Sequence, residues 1–308
     1  MSIEELKELQ AKIIKKDKIC TTIITVFILF MISIALIMYL LKIIDTTLLI
    51  ISFFATLIIS SIVIVIINNS LNKDDIEIFY KNYKKIFVLQ ALQNIFYNVK
   101  YNHEEGFTKE FIDEVGMIDT GDSFYSNDYI SGEYKNIKFE QSDLHILEEQ
   151  ERSDGDGGTE TVLVTTFCGR LIIFDFNKKF KANLQVSSAS FGAETLPWNK
   201  KFSKVEMEDV EFNQKFYVLA ENEHEAFYIL TPHFMEKLKR IEERINSGIM
   251  FCFVDNKLHI AVDNDTDSFE CNVHKPINEK EIEEDIIKDI KIITDFADEL
   301  NLDNDLFK

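Results

Sequence analysis

The chain has 308 residues, 46% hydrophobic and 28% charged, with 53 acidic side chains against 33 basic ones and a formal charge of −20. An acid excess of this size repels phosphate backbones, which excludes nucleic acid as a partner. The four cysteines form no CxxC pair, so they make neither a disulfide framework nor a complete zinc site and fit a reducing compartment.

Residues 1–19 read as a lysine-bearing cytoplasmic tail. From Cys20 to Leu41 only Thr21, Thr22, Thr25 and Ser33 interrupt an apolar run, and from Leu48 to Ile67 no charge appears. At about 1.5 Å per residue each run covers roughly 30 Å, the thickness of a bilayer's hydrocarbon layer. Residues 20–67 are therefore expected to form a helical hairpin in the lipid bilayer. The first run is longer than the apolar core of a cleaved signal peptide, and no small-x-small cleavage site follows it. In the second run Ser52, Thr56 and Ser60 recur at helical spacing beside Ala55, a stripe of small residues expected to pack on the Thr25/Ser33 side of the first helix.

Lysines 7, 12, 15, 16 and 18 precede the hairpin and lysines 73, 81, 84 and 85 follow it, while its turn offers Lys42 alone. The positive-inside rule places both termini in the cytoplasm. Residues 1–72 hold six lysines against five acids, so all of the net negative charge falls on the body that follows.

Asp74 and Asp75 open an amphipathic helix to about Tyr97, within a membrane-proximal segment spanning 68–106. Residues 107–308 are expected to form one cytoplasmic domain. A short helix at Thr108–Glu114 leads into period-two alternation. Tyr129–Tyr134 and Ile137–Leu147 read as strands around a Lys135-Asn136 turn, and Glu148–Glu160 reads as a solvated acidic loop. Strands follow at Thr161–Phe167, Gly169–Phe176 and Ala182–Ser187, with short ones at 204–206 and 216–219. After Glu221 helix returns, with Thr231 as N-cap and Pro232 at the first helical position. Ile249–Val254 and Lys257–Val262 alternate around Asp255-Asn256, and a last helix runs from Glu279 to Leu300. The fold class is α+β, a transmembrane hairpin followed by a mainly antiparallel sheet with packed helices.

Ser131-Gly132-Glu133, Phe139, Ser142-Asp143-Leu144-His145, Gly169, Asp175-Phe176-Asn177-Lys178 and Phe180 form one series of spaced residues. Glu208-Asp209, Glu211-Phe212, Phe216, Glu225-Ala226, Tyr228-Ile229-Leu230-Thr231-Pro232 and Met235-Glu236 continue it. Through these, roughly Ser131 to Val262 resembles the bacterial family called domain of unknown function 3137, whose members commonly carry paired transmembrane helices ahead of the domain. The resemblance implies a multi-pass protein of a bacterial plasma membrane and assigns no catalytic residue. Members often have Arg between the Ala and the Tyr; this chain has Phe227.

Several groups are candidate sites. Asp175, Asn177 and Lys178 bring a carboxylate, an amide and an ammonium to a strand end, though such a turn is more often only a turn. His224-Glu225 begins an HExxH pattern, but Tyr228 stands where the second imidazole is required. Asp263, Asp265 and Asp267 alternate like a calcium loop, yet Ser268 replaces its glycine and His274 its bidentate Glu. Trp198 is a candidate anchor for a protein partner. No phosphate loop, dinucleotide fingerprint or nucleophile elbow is present, and no cofactor is implied.

The sequence thus points to a membrane-tethered interaction or sensing module. Its rivals are a membrane-bound hydrolase built on Asp175, Lys178, His145 and Glu225, and a homo-oligomeric membrane-perturbing or pore-forming protein. The enzyme reading requires those four to converge in one cleft. The pore reading is opposed by the uncharged spans.

Overall fold

The computed structural model describes the chain except for residues 44, 72, 154–157, 176–181, 192–201, 255 and 301–308; residues 64–71 are described by backbone alone. The chain forms two compact units, Met1–Val88 with Cys271–Ile282, and Leu89–Glu270 with Glu283–Lys308.

In the first unit helix α1 runs unbroken from Ile3 to Leu40, so the expected tail is helical and continuous with the first span. The cause is local. Ser2 caps the helix and accepts from the Glu5 amide, while the Glu5 carboxylate accepts from the Ser2 amide at 2.7 Å. Leu6, Gln10 and Ile13, spaced for one helical face, are buried. The Gln10 amide donates to the carbonyls of Val273 at 2.9 Å and Lys275 at 2.7 Å.

Helix α2 spans Thr46–Leu71 and packs on α1. Ser60 is buried on α2 and Leu49, Ser52 and Thr56 are partly covered; on α1 Ile24 is buried, and Ile28, Ile32, Ala35 and Met38 are partly covered. Thr25 and Ser33 are exposed, which corrects the expected docking side. Their hydroxyls already donate to the carbonyls of Thr21 and Leu29, each at 2.7 Å, and branched isoleucines fill the space beside small residues better. Helix α3 is Lys73–Tyr83, and Asp75 near its start accepts from Lys12 at 3.0 Å and Lys16 at 2.5 Å.

The second unit is built on one antiparallel sheet. Its strands are β1 (Tyr97–Asn102), β2 (Ser123–Tyr134), β3 (Ile137–Ser153), β4 (Thr159–Asp175), β5 (Leu184–Ser188), β6 (Ser203–Val205), β7 (Phe216–Ala220), β8 (Gly248–Val254) and β9 (Lys257–Asp263). They are ordered β1-β2-β3-β4-β9-β8-β5-β7-β6. The helices are α4 (Leu89–Ile95), α5 (Lys109–Val115), α6 (Val210–Lys215), α7 (Glu223–Ile229), α8 (Pro232–Ile245) and α9 (Glu279–Leu300).

Strand alternation splits the core into two layers. Leu144, Ile146, Leu171, Ile173, Met250, Cys252 and Ala261 cluster with Ile112 of α5 and with Met117 and Ile118 behind it. The in-between residues face α8 and α9: Phe253 meets Phe234 at 6.1 Å and Phe251 meets Phe296 at 6.2 Å between ring centroids.

The expected loop Glu148–Glu160 is mostly strand. β3 and β4 stay paired as far as Ser153 and Thr159, leaving 154–157 outside the described residues. The acids misled because an exposed two-stranded ribbon carries charge on both faces as readily as a loop does. Likewise 161–167 and 169–176, expected as two strands, fall in the one strand β4 as far as Asp175, and residue 176 lies outside the described residues. Strand β1 begins at Tyr97, where the sequence predicts the end of the preceding helix, and helix α6 is too short to show a period.

A buried carboxylate cluster as candidate functional site

The most site-like arrangement lies where β2 breaks its ladder with β3, between Asn127 and Ile130. Asp128 adopts φ +51° there, as the extra residue of a bulge, and its side chain is fully buried. Opposite it Asp143 on β3 pairs with Arg170 on β4, and both are buried. The segment after β9 adds Asp267 and Ser268. Carboxylate oxygens of Asp128, Asp143 and Asp267 all lie within 4.8 Å of one another.

Donors surround the cluster. The Tyr101 hydroxyl donates to Asp128 Oδ1, and Asn127 Nδ2 donates to Asp128 Oδ2 at 3.0 Å and Asp267 Oδ1 at 3.3 Å. Ser268 donates its amide to Asp143 Oδ2 and its hydroxyl to Oδ1 at 2.9 Å. Arg170 turns to α9, donating to the Asp289 carbonyl at 2.9 Å and its carboxylate at 3.2 Å. Asp289 also accepts from the Phe269 amide at 2.9 Å, so one carboxylate ties α9, the loop and the sheet together.

Burial pushes the Asp143 carboxyl up to about 8, and the charge of Asp128 adds to this, while Arg170 and the Ser268 hydrogen bonds pull the other way. Burial, then the charge of Asp128, likewise raises the Tyr101 hydroxyl. Chemically the cluster can store a proton. Asp128, Asp143 and Asp267 are also the described residues that could jointly hold a cation, but the inner two carboxylates already receive hydrogen bonds at both oxygens.

The residues expected from sequence fall elsewhere. Of the three calcium-like aspartates only Asp267 joins the cluster. Asp263 accepts from the Cys168 amide at 3.1 Å, and Asp265 donates its own amide to the Cys168 carbonyl at 2.9 Å. His145 is exposed on β3 with its Nε2 3.1 Å from the Thr165 hydroxyl. Asp175, exposed at the end of β4, lines an open cleft of about 290 Å³ with Lys100, Ser131 and Glu140, and lies 3.9 Å from Lys257. Glu225 is half-buried on α7, where Asn222 caps the helix.

His145 pairs with Cys168, seven residues before Asp175 on β4, or about 23 Å at strand rise. Helix α7 contacts β7, five strands from β3, or about 24 Å at sheet spacing. These three do not share a cleft. Lys178, Asn177 and Trp198 lie outside the described residues.

Sequence reading missed Asp128, Asp143 and Arg170 as a group. The signals were there: Asn127-Asp128 is a poor strand pair and marks a bulge, and Asp143 and Arg170 interrupt buried strands, where a charge requires a partner.

No curated protein matches this chain. A crystal structure of the mycobacterial trehalose monomycolate transport factor A, TtfA, is similar over 72% of this chain and 94% of that one, with 9% identity and a TM-score of 0.37; likeness at that level carries no argument. A family match is found further along than the sequence resemblance was drawn, starting inside β4 and extending through α9, so the quoted residues from Ser131 to His145 precede it. Residues 165–302 match the family described as "Protein of unknown function (DUF3137)", the family that the sequence resembles.

Proposed function

We propose that this chain is a membrane-anchored module that holds or senses a protein partner at the inner face of a bacterial plasma membrane. In this reading α1 and α2 cross the bilayer and both chain ends are cytoplasmic. One observation carries the anchoring. In each helix only 6% of the apolar window is buried, and Phe27, Phe30, Leu40, Phe54 and Ile58 are each more than half exposed. The core helix of a soluble protein would bury such side chains; here they require another apolar medium. The lysines flanking the hairpin support the orientation. A binding role is favoured over hydrolysis because His145, Asp175 and Glu225 lie far apart on the sheet unit.

Cysteine mapping in intact cells tests the topology. A Lys42→Cys variant is expected to react with an impermeant maleimide added outside, and a Ser2→Cys variant only after lysis. The reverse pattern would invert the orientation, and release of the protein by carbonate would remove the spans. For the partner, wild-type chain drawn from gently solubilised membranes should enrich a companion that Trp198→Ala enriches less. Absence of any enriched companion would count against the binding role.

A further inference from the structure

The first unit sorts its N-terminal lysines into two sets. Lys12 and Lys16 are spent on Asp75, whose carboxyl is held below its ordinary range by hydrogen bonds from Lys16 and then Lys12. Lys15 and Lys18 are exposed and about one turn apart, Lys15 on the side of α1 opposite the buried Leu6, Gln10 and Ile13 and Lys18 on the flank beside it. Ile19 follows at once, the first of the exposed apolar residues that lead into the span. From Ala11 to Thr22 the helix bears one acid, Asp17, and that lies 3.8 Å from His274. Lys73, at the start of α3, is also exposed; Asp74 beside it offsets part of its charge, so the weight falls on Lys15 and Lys18.

We propose that Lys15 and Lys18, supported by Lys73, form a cationic collar that binds the headgroups of anionic phospholipids in the inner leaflet. The inference rests on the membrane-spanning reading above. With the helix inserted from Ile19 onward, both ammonium groups stand within about a turn and a half of the hydrocarbon edge, which is headgroup depth. Long lysine stems let them reach outward to phosphate. Each lysine at such a surface is worth roughly fivefold in affinity, screened by salt over about 8–10 Å. The collar would therefore give an otherwise acidic protein a defined annulus of anionic lipid.

The test uses the full chain in nanodiscs of phosphatidylcholine mixed with phosphatidylglycerol, scored by which lipids remain bound in native mass spectrometry. Wild-type protein is expected to retain phosphatidylglycerol over phosphatidylcholine by about tenfold or more, and the K15Q/K18Q variant to retain the two alike. A control, K288Q/K291Q, removes the same charge from α9 and should keep the preference. Three results overturn the collar: no preference in wild type, a preference that survives in K15Q/K18Q, or equal loss in the control. Failure of all three proteins to enter nanodiscs would overturn the spanning reading itself, which separates the two failures.

Discussion

Asp143 holds its proton because burial leaves little water to stabilise the ion, and the charge of Asp128 adds to this. The folded-state value of about 8 lies above the ordinary 3.8, so the folded chain binds a proton that the unfolded chain releases between those values. Stability from this group is full below pH 4 and is lost as pH rises towards 8. Urea midpoints are therefore expected to fall from pH 6 to pH 9 in wild type and to fall less in Asp143→Asn, which cannot ionise. An equal fall in both would show that the charge of Asp143 is not what the pH change reads. Arg170 acts on the other side of the same knot. Arg170→Met removes the guanidinium donors to the Asp289 carbonyl and carboxylate and a buried cation from beside Asp143, and should lower unfolding free energy by roughly 3–5 kcal/mol, measured by urea denaturation.

At the scale of elements, period and capping were the legible quantities. Thr231 and the Lys135-Asn136 turn stand where their residue types place them: Thr231 accepts from the amide of Phe234, and Lys135 and Asn136 both take positive φ; Thr108, expected as the first helical residue, is instead the cap and accepts from the amide of Phe111. Bulges and charges inside strands were not legible, because their meaning depends on a cross-strand neighbour that sequence distance hides. Gly169 is such a case. It is quoted easily from sequence, but only the structure shows a β-carbon there 2.0 Å from the Val262 carbonyl oxygen of β9. Gly169→Ala should separate β4 from β9 locally and lower stability by roughly 3 kcal/mol or more, read as a drop in thermal midpoint. In the α1–α2 pair, Ser60 is a buried small residue among those described in α2. Ser60→Phe is expected to force the helices apart and make the pair more accessible to protease in detergent; unchanged digestion would show that α1 does not rest on that residue.

At the scale of the molecule, the distribution of charge organises the two units differently. The first unit spends lysines on its own acids, as Lys7 does on Glu279 at 2.9 Å, and leaves a few exposed near the apolar helices. The sheet unit carries most of the acid and keeps a small part of it buried around one arginine. Composition disclosed the first fact but could not disclose the second, since a net charge has no address. That the first unit takes Cys271–Ile282 as well as Met1–Val88 was also beyond sequence reading, because no local pattern announces a return over so many residues. The order of synthesis gives that return a further meaning. The carbonyls that accept from Gln10 belong to Val273 and Lys275, so a ribosome adds 263 residues after Gln10 before the first of these acceptors exists. Helix α1 is thus completed only by a segment made long after it, and a chain stopped at Glu270 would leave Gln10 without these acceptors.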